Sequence, residues 1–287
     1  MYPRPFAYLR PRSAAEALAQ LAEHGGEARP LAGGMSLIPL LKYRQLSPRV
    51  LVDIGRLREL AGIGAADGVL RIGATTRHCE VAEWDWDGSL TMFGELAGRV
   101  GDAQVRSMGT AGGGLAAVEP SGDWGTALLA MRGEVVAAAS ASERHIAADD
   151  FFLGSGRSAL RPDELITQAW FPLPGGRFGT AAAKFETRRA APVASCAALV
   201  AMDDDGRVST AGLACTGLDG FPVRLTGAEA VLSGQRFGAD VVAAAAEAAR
   251  KAAPDRFRGA VIARLAEDAL TSAGLRARQH DAAKGSE

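Results

Sequence analysis

The spacing of apolar residues along this chain changes period repeatedly, and each change marks an element. Ala17, Leu18 and Leu21 fall on one face of a helix that opens at the capping box Ser13-Ala14-Ala15-Glu16 and stops at Gly25-Gly26. Residues 29–32 read as a short strand running into Gly33-Gly34, and residues 36–44 as a second helix whose Pro39 fits the first turn. The unbroken apolar run at residues 50–54 predicts a buried strand that ends at Gly55. Residues 1–55 therefore predict a small β-α-β unit with a glycine pair at the mouth of a strand.

Residues 69–76 predict a further strand, Arg77-His78-Cys79-Glu80 the opening of a short helix, and residues 93–100 another helix. Trp84-Asp85-Trp86-Asp87 between them reads as an aromatic loop. After a glycine-rich stretch, residues 121–131 predict a capped helix with an apolar face. Residues 134–139 form the next strand, residues 146–152 a turn into a short helix, and residues 165–173 a strand ending at Pro174-Gly175-Gly176. Beyond that boundary, residues 181–187, 194–203 and 207–215 predict three antiparallel strands, with Asp203-Asp204-Asp205-Gly206 as a hairpin turn. Alanine-rich helices at 239–252 and 259–272 flank Pro254, and their small faces suit tight packing on a sheet. The polar tail from Arg276 is expected to fray. The domain expectation is thus 1–55, 56–175 and 176–287.

Composition narrows the function. At 287 residues with 48% hydrophobic content, the chain can bury two or three small cores. Lys+Arg 32 against Asp+Glu 33 leaves a net charge of −1, so nucleic acid is not indicated. Cys79, Cys196 and Cys215 are scattered and odd in number, which argues against a disulfide framework. They are also too few for a four-cysteine iron–sulfur site and read as small apolar residues. Adjacent His78 and Cys79 lack the second ligand pair a metal site needs. No signal peptide and no transmembrane-length apolar run is evident, so a cytoplasmic protein is expected.

The candidate chemistry lies in two glycine stretches. Gly109-Thr110-Ala111-Gly112-Gly113-Gly114 reads as a loop almost bare of side chains, whose N–H groups could form a concave anion site. Neither a Walker lysine nor a GxGxxG repeat accompanies it, so both standard phosphate fingerprints fail, and a plain tight turn reads equally well. The upstream Leu31-Ala32-Gly33-Gly34-Met35-Ser36 changes the balance, because two such stretches can face one diphosphate.

With both stretches in view, the chain resembles the FAD-binding medium subunits of the molybdenum hydroxylases, the family of the carbon monoxide dehydrogenase medium chain and the xanthine dehydrogenase flavin domain. That family's first loop is approximately Ala-Gly-Gly-His-Ser, here Ala32 to Ser36. Its second corresponds to Gly101-Asp102-Ala103-Gln104-Val105-Arg106, then Thr110-Ala111-Gly112-Gly113, Pro120 and Asp123. Leu51-Val52-Asp53-Ile54, Ile72-Gly73-Ala74-Thr75-Thr76-Arg77-His78, Arg161-Pro162-Asp163-Glu164-Leu165, and Lys184-Phe185 with Arg188-Arg189 agree as well.

The resemblance implies an α+β fold: a two-lobed FAD-binding domain of the vanillyl-alcohol oxidase type, followed by a small α+β C-terminal domain. It implies that Leu31, Ala32, Gly33, Gly34, Met35 and Ser36 line the diphosphate. It places Thr110, Ala111, Gly112, Gly113 and Gly114 against flavin and phosphate, Asp123 on a polar group of FAD, and Ile166 and Lys184 near the isoalloxazine. The plain structural readings are a helix cap for Asp123, core for Ile166 and a solvated charge for Lys184. The resemblance further implies an oxidoreductase subunit that takes electrons from an iron–sulfur chain, next to a large molybdenum-cofactor chain, in a dimer of heterotrimers with an external acceptor. The molybdenum cofactor and the [2Fe-2S] clusters then belong to partner chains.

Three positions depart from the family pattern. Met35 stands for a frequent histidine, Ala111 for isoleucine or leucine, and no tyrosine follows Phe151-Phe152. Ala111 is expected to thin the apolar cover near the flavin. These departures keep two other functions open: an assembly subunit with a degenerate flavin site, and a stand-alone flavin reductase.

Overall fold

A computed structural model describes residues 2–186 and 192–284; Arg188, Arg189 and Thr187, the expected strand end, lie outside them. The first unit runs β1 (Ala7–Leu9), α1 (Ala14–His24), β2 (Ala28–Leu31), α2 (Leu37–Lys42) and β3 (Val50–Asp53), as a parallel sheet in the order β1-β3-β2. The expected capping box forms by half. Ser13 Oγ accepts from the Glu16 N–H at 3.1 Å, but the Glu16 carboxylate accepts from the Arg12 N–H instead of the cap's own. Ala17 and Leu21 of α1 are fully buried against Val50, Val52 and Ile54.

The middle unit is an antiparallel sheet, order β4-β5-β10-β6-β7, that encloses a helical excursion. Its strands are β4 (Ile63–Ala66), β5 (Val69–Gly73), β6 (Glu134–Ala139), β7 (Ser142–Ala147) and β10 (Leu165–Pro172), with β8 (Phe152–Gly154) and β9 (Arg157–Ser158) as a separate ribbon. The helices are α3 (His78–Glu83), α4 (Met92–Gly98), α5 (Ala103–Met108), α6 (Ala111–Ala117), α7 (Asp123–Ala130) and α8 (Ala148–Phe151). The hairpin β4–β5 escapes the periodicity argument because Ile63-Gly64-Ala65-Ala66 carries little apolar contrast. Its turn is the two-residue Asp67-Gly68, both at positive φ, 54° and 72°, as such a hairpin demands. Ile146 and Ala147 belong to β7 rather than to a turn. Trp86 of the aromatic loop is structural: it stacks on Phe93 with centroids 5.2 Å apart and donates to Val81 O at 2.8 Å.

The C-terminal unit is an antiparallel sheet of β11 (Arg177–Glu186), β12 (Pro192–Met202), β13 (Val208–Cys215) and β14 (Val223–Arg224), backed by α9 (Thr226–Leu232), α10 (Ala239–Lys251) and α11 (Arg256–Lys284). The expectation of a frayed tail from Arg276 is overturned. Arg276 lies inside α11, pairs with Glu95 and donates to Thr180 O at 2.7 Å, while Ala273 and Ala277 are fully buried. Gly179 permits this contact, because a Cβ there would stand 2.3 Å from Ala273 O. Cys196 and Cys215 face each other in register and are buried, as small apolar residues; Cys79 is only partly covered.

Middle and C-terminal units share one core. Trp124, Leu128 and Ala130 of α7 pack with Ala197, Leu199 and Ala214 of β12 and β13. Gly212 brings the backbones together, since a Cβ there would lie 1.8 Å from Ala130 O. Helix α7, and Asp123 at its start, is therefore fixed at the junction of the two units.

Candidate functional site

The two glycine stretches meet through bare backbone. A Cβ on Gly33 would stand 2.0 Å from Met108 O and 2.8 Å from Gly109 Cα, so only glycine lets the first loop seat on the segment before Thr110. Gly34, at φ 74°, turns the chain into α2. Among the described residues, the N–H groups of Gly33, Gly34, Met35, Ser36 and Leu37 donate to no acceptor. Ile38 N–H is the first to re-enter a helical bond, to Gly34 O at 2.9 Å. A run of free, closely spaced donors is the physical requirement for an anion cradle.

The second stretch corrects the sequence reading. Gly112, Gly113 and Gly114 lie in the first turn of helix α6, not in a loop, and Thr110 caps that helix. Its early N–H groups are already engaged: Ala111 with Thr76 O and Gly112 with Ala74 O, each at 2.9 Å, and Gly113 with Thr110 Oγ1 at 3.2 Å. The glycines serve close packing. A Cβ on Gly112 would meet Ala74 Cβ at 2.5 Å, and one on Gly114 would meet Trp124 Cδ1 at 2.9 Å. The turn at Ala74–Arg77, bridged to Thr110 through Arg77, competes for the donors that sequence reasoning had assigned to a ligand. Ala111 is fully buried in the core, so its side chain packs under α6 rather than covering a ligand, a further correction.

Asp123 and Lys184 form a buried ion pair. Lys184 Nζ stands 2.7 Å from Asp123 Oδ2, with side-chain exposures of 4% and 3%. The solvated-charge reading of Lys184 is thereby overturned, and so is the cap reading of Asp123, because Gly122 is the N-cap and receives no side-chain bond. Burial raises the Asp123 pKa, and the Lys184 ammonium opposes that rise. Asp123 Oδ1 is buried with no hydrogen-bond partner among the described residues. The Ser195 hydroxyl, close enough to lower the Asp123 pKa, is engaged with Thr216 Oγ1 at 3.0 Å. Such an orphaned acceptor is costly unless a donor is brought to it. Ile166 sits on β10 at 3% exposure, opposite Ala137 in the core.

His78, read from the sequence as a structural or capping residue rather than a metal ligand, is a keystone. Its Nδ1 accepts from Trp124 Nε1 at 3.1 Å, and its backbone N–H donates to Gly109 O at 3.0 Å. Burial, aided by repulsion from Arg106, lowers its pKa to about 4, so it is neutral near pH 7. A cavity of about 800 Å³ lies elsewhere, between Gly55–Arg58, Ala61–Ile63 and Thr75–Arg77. It includes neither glycine stretch, although Gly55 abuts the first: a Cβ there would lie 2.8 Å from Ala32 O.

A parallel β-α-β unit and a mixed second unit, joined through glycine backbone and closed by an α+β domain, define a two-lobed flavoprotein class. The chain belongs to the molybdopterin dehydrogenase FAD-binding family: the model described as "FAD binding domain in molybdopterin dehydrogenase" matches residues 4–174, and "CO dehydrogenase flavoprotein C-terminal domain" matches residues 182–273. It is 32% identical over 289 residues to the 6-hydroxypseudooxynicotine dehydrogenase complex subunit alpha of Paenarthrobacter nicotinovorans, covering 97% of each chain. It is 35% identical over 244 residues to the glyceraldehyde dehydrogenase medium chain of Sulfolobus acidocaldarius, covering 84% of this chain and 86% of that one. A carbon monoxide dehydrogenase structure from Hydrogenophaga pseudoflava superposes with a TM-score of 0.89 at 31% identity, over 96% of this chain and 99% of that one. The protein is thus an FAD-binding medium subunit of the molybdenum hydroxylase type. No helix among the described residues is long and apolar enough to cross a membrane.

Proposed function

We propose that this chain is the electron-transfer flavoprotein of a cytoplasmic molybdenum dehydrogenase, binding FAD noncovalently between the two glycine stretches. The observation that carries the reading is the row of free N–H donors from Gly33 to Leu37, seated against Met108 and Gly109. These donors, with Leu31 and Ala32 beside them, would hold the diphosphate. Because donation is from the backbone, Met35 in place of histidine leaves the cradle intact. Thr110 to Gly114 would contribute shape: Gly113, half-buried and without a side chain, would let a planar ring lie close to α6. Asp123 Oδ1, without a hydrogen-bond partner among the described residues, would accept from a hydroxyl or N–H of FAD, while Lys184 pairs with Oδ2 at 2.7 Å. Ile166 supports this wall from below.

FAD supplies the two-electron and one-electron steps that no side chain here can perform. The chain's own part is to bind it, orient it and set its electrostatics. Bound here, it would take electrons from an iron–sulfur partner, next to a large partner that holds the molybdenum cofactor, and pass them to an external acceptor, in a dimer of heterotrimers. Relatives of this chain are named for dehydrogenases of glyceraldehyde and of 6-hydroxypseudooxynicotine, a spread that supports substrate choice on another chain.

The test is the visible spectrum of the purified chain, followed by acid release of its chromophore, and then capture of partners with the tagged chain. Released FAD and co-purifying iron–sulfur and molybdenum chains are expected. A chain that stays colourless after incubation with FAD overturns the redox role in favour of assembly, and flavin reduction by NADH without partners favours a stand-alone reductase.

A further inference from the structure

The ion pair at Asp123 does not end with Lys184. Lys184 Nζ also lies 3.0 Å from Glu186 Oε1 and donates to Arg99 O at 2.7 Å. Arg99 closes the ring, with its guanidinium 3.4 Å from Glu186 Oε2 and 2.9 Å from Lys184 O. Burial alone would raise the Glu186 pKa, but the two cations bring it below the usual glutamate value. Charge thus alternates from the buried Asp123 out to the half-exposed Arg99. One helical turn earlier, Glu95 also grips β11, accepting from Ala182 N–H at 2.9 Å and pairing with Arg276. The exit of α4 therefore holds β11 at two points, of which only the Arg99 point touches Lys184.

We propose that Glu186 and Arg99 are positioning residues that fix the Lys184 ammonium against Asp123 and thereby set the redox potential of the bound flavin. This rests on the FAD reading of the site. A lysine ammonium on a flexible stem is a movable point charge, and its electrostatic effect in a buried site depends on what holds it. Glu186 draws the ammonium outward and cancels part of its charge, while Arg99 screens Glu186. Loss of the Glu186 charge leaves the site more positive, which favours the electron-rich form of the flavin. Loss of the Arg99 charge leaves it more negative, with the opposite effect.

The experiment is a redox titration of the full chain loaded with FAD, comparing wild type with Glu186→Gln, Arg99→Gln, Glu186→Asp and Glu95→Gln. Glu186→Gln is expected to shift the midpoint potential upward and Arg99→Gln downward. Glu186→Asp restores most of the wild-type value, and Glu95→Gln lowers Tm while leaving the potential in place. Glu186 and Arg99 are partly exposed, and the flavin spectrum of each variant reports whether it has folded. Equal potentials across the set overturn the inference while the FAD reading stands, as do shifts of one sign in every variant. A wild-type chain that takes up no FAD overturns both.

Discussion

The two glycine stretches look alike as sequence and differ as chemistry. In the first, Gly33 and Gly34 release a row of N–H groups from any internal acceptor. In the second, Thr76 O, Ala74 O and Thr110 Oγ1 take up those of Ala111, Gly112 and Gly113, and the glycines serve close approach to Ala74 and Trp124. Glycine content therefore marks where a backbone comes close to something. Whether that something is a ligand or the protein itself depends on what the neighbouring strand offers.

The strongest way to break this contrast is at the contact itself. Gly33→Val puts a branched side chain where even a Cβ would lie 2.0 Å from Met108 O. A loss of about 3 kcal/mol in stability is expected, together with loss of FAD uptake. Denaturant unfolding and flavin absorbance check it; retained FAD would mean that the stretches need not touch.

Acid should strain the second stretch before the first, through His78. Its folded pKa of about 4 lies below the 6.5 of an ordinary histidine, so the unfolded chain binds the extra proton more readily. Stability from this group is intact above pH 6.5 and is lost as pH falls toward 4, by on the order of 2–3 kcal/mol across that window. Unfolding free energy against pH for wild type and His78→Gln measures the difference, and parallel curves would remove His78 from the account.

Gly112→Ala sharpens the distinction. The added Cβ meets Ala74 Cβ at 2.5 Å, which predicts a loss of about 2 kcal/mol in stability. FAD affinity in the folded protein should change far less than in the Gly33 variant, because the Gly112 N–H is already engaged. A drop in affinity as large as that of Gly33→Val would show that this stretch also donates to the ligand. Thr110→Ala has the smallest effect, about 1 kcal/mol, through loss of the cap on Gly113 N–H. A thermal melt is sufficient to detect it.

Much of this protein followed from local pattern. Ser13, the apolar runs of β12 and β13 around the Asp203–Gly206 turn, the Pro174-Gly175-Gly176 punctuation and the alanine faces of α10 and α11 each specify their element through near neighbours. The spacing of the two glycine stretches with Asp123 and Lys184 was enough to point to the family and its cofactor. What local pattern could not fix is which polar groups find each other across long separations. The Thr76 carbonyl that takes up the Ala111 N–H lies outside the glycine stretch, Arg276 holds a tail that looked free, and Asp123 meets Lys184 only because Gly212 lets the C-terminal sheet reach α7. Hydrophobic periodicity and turn chemistry act within a few residues and are written in order along the chain. Hydrogen-bond and charge satisfaction depend on who arrives at the same place, and folding alone decides that.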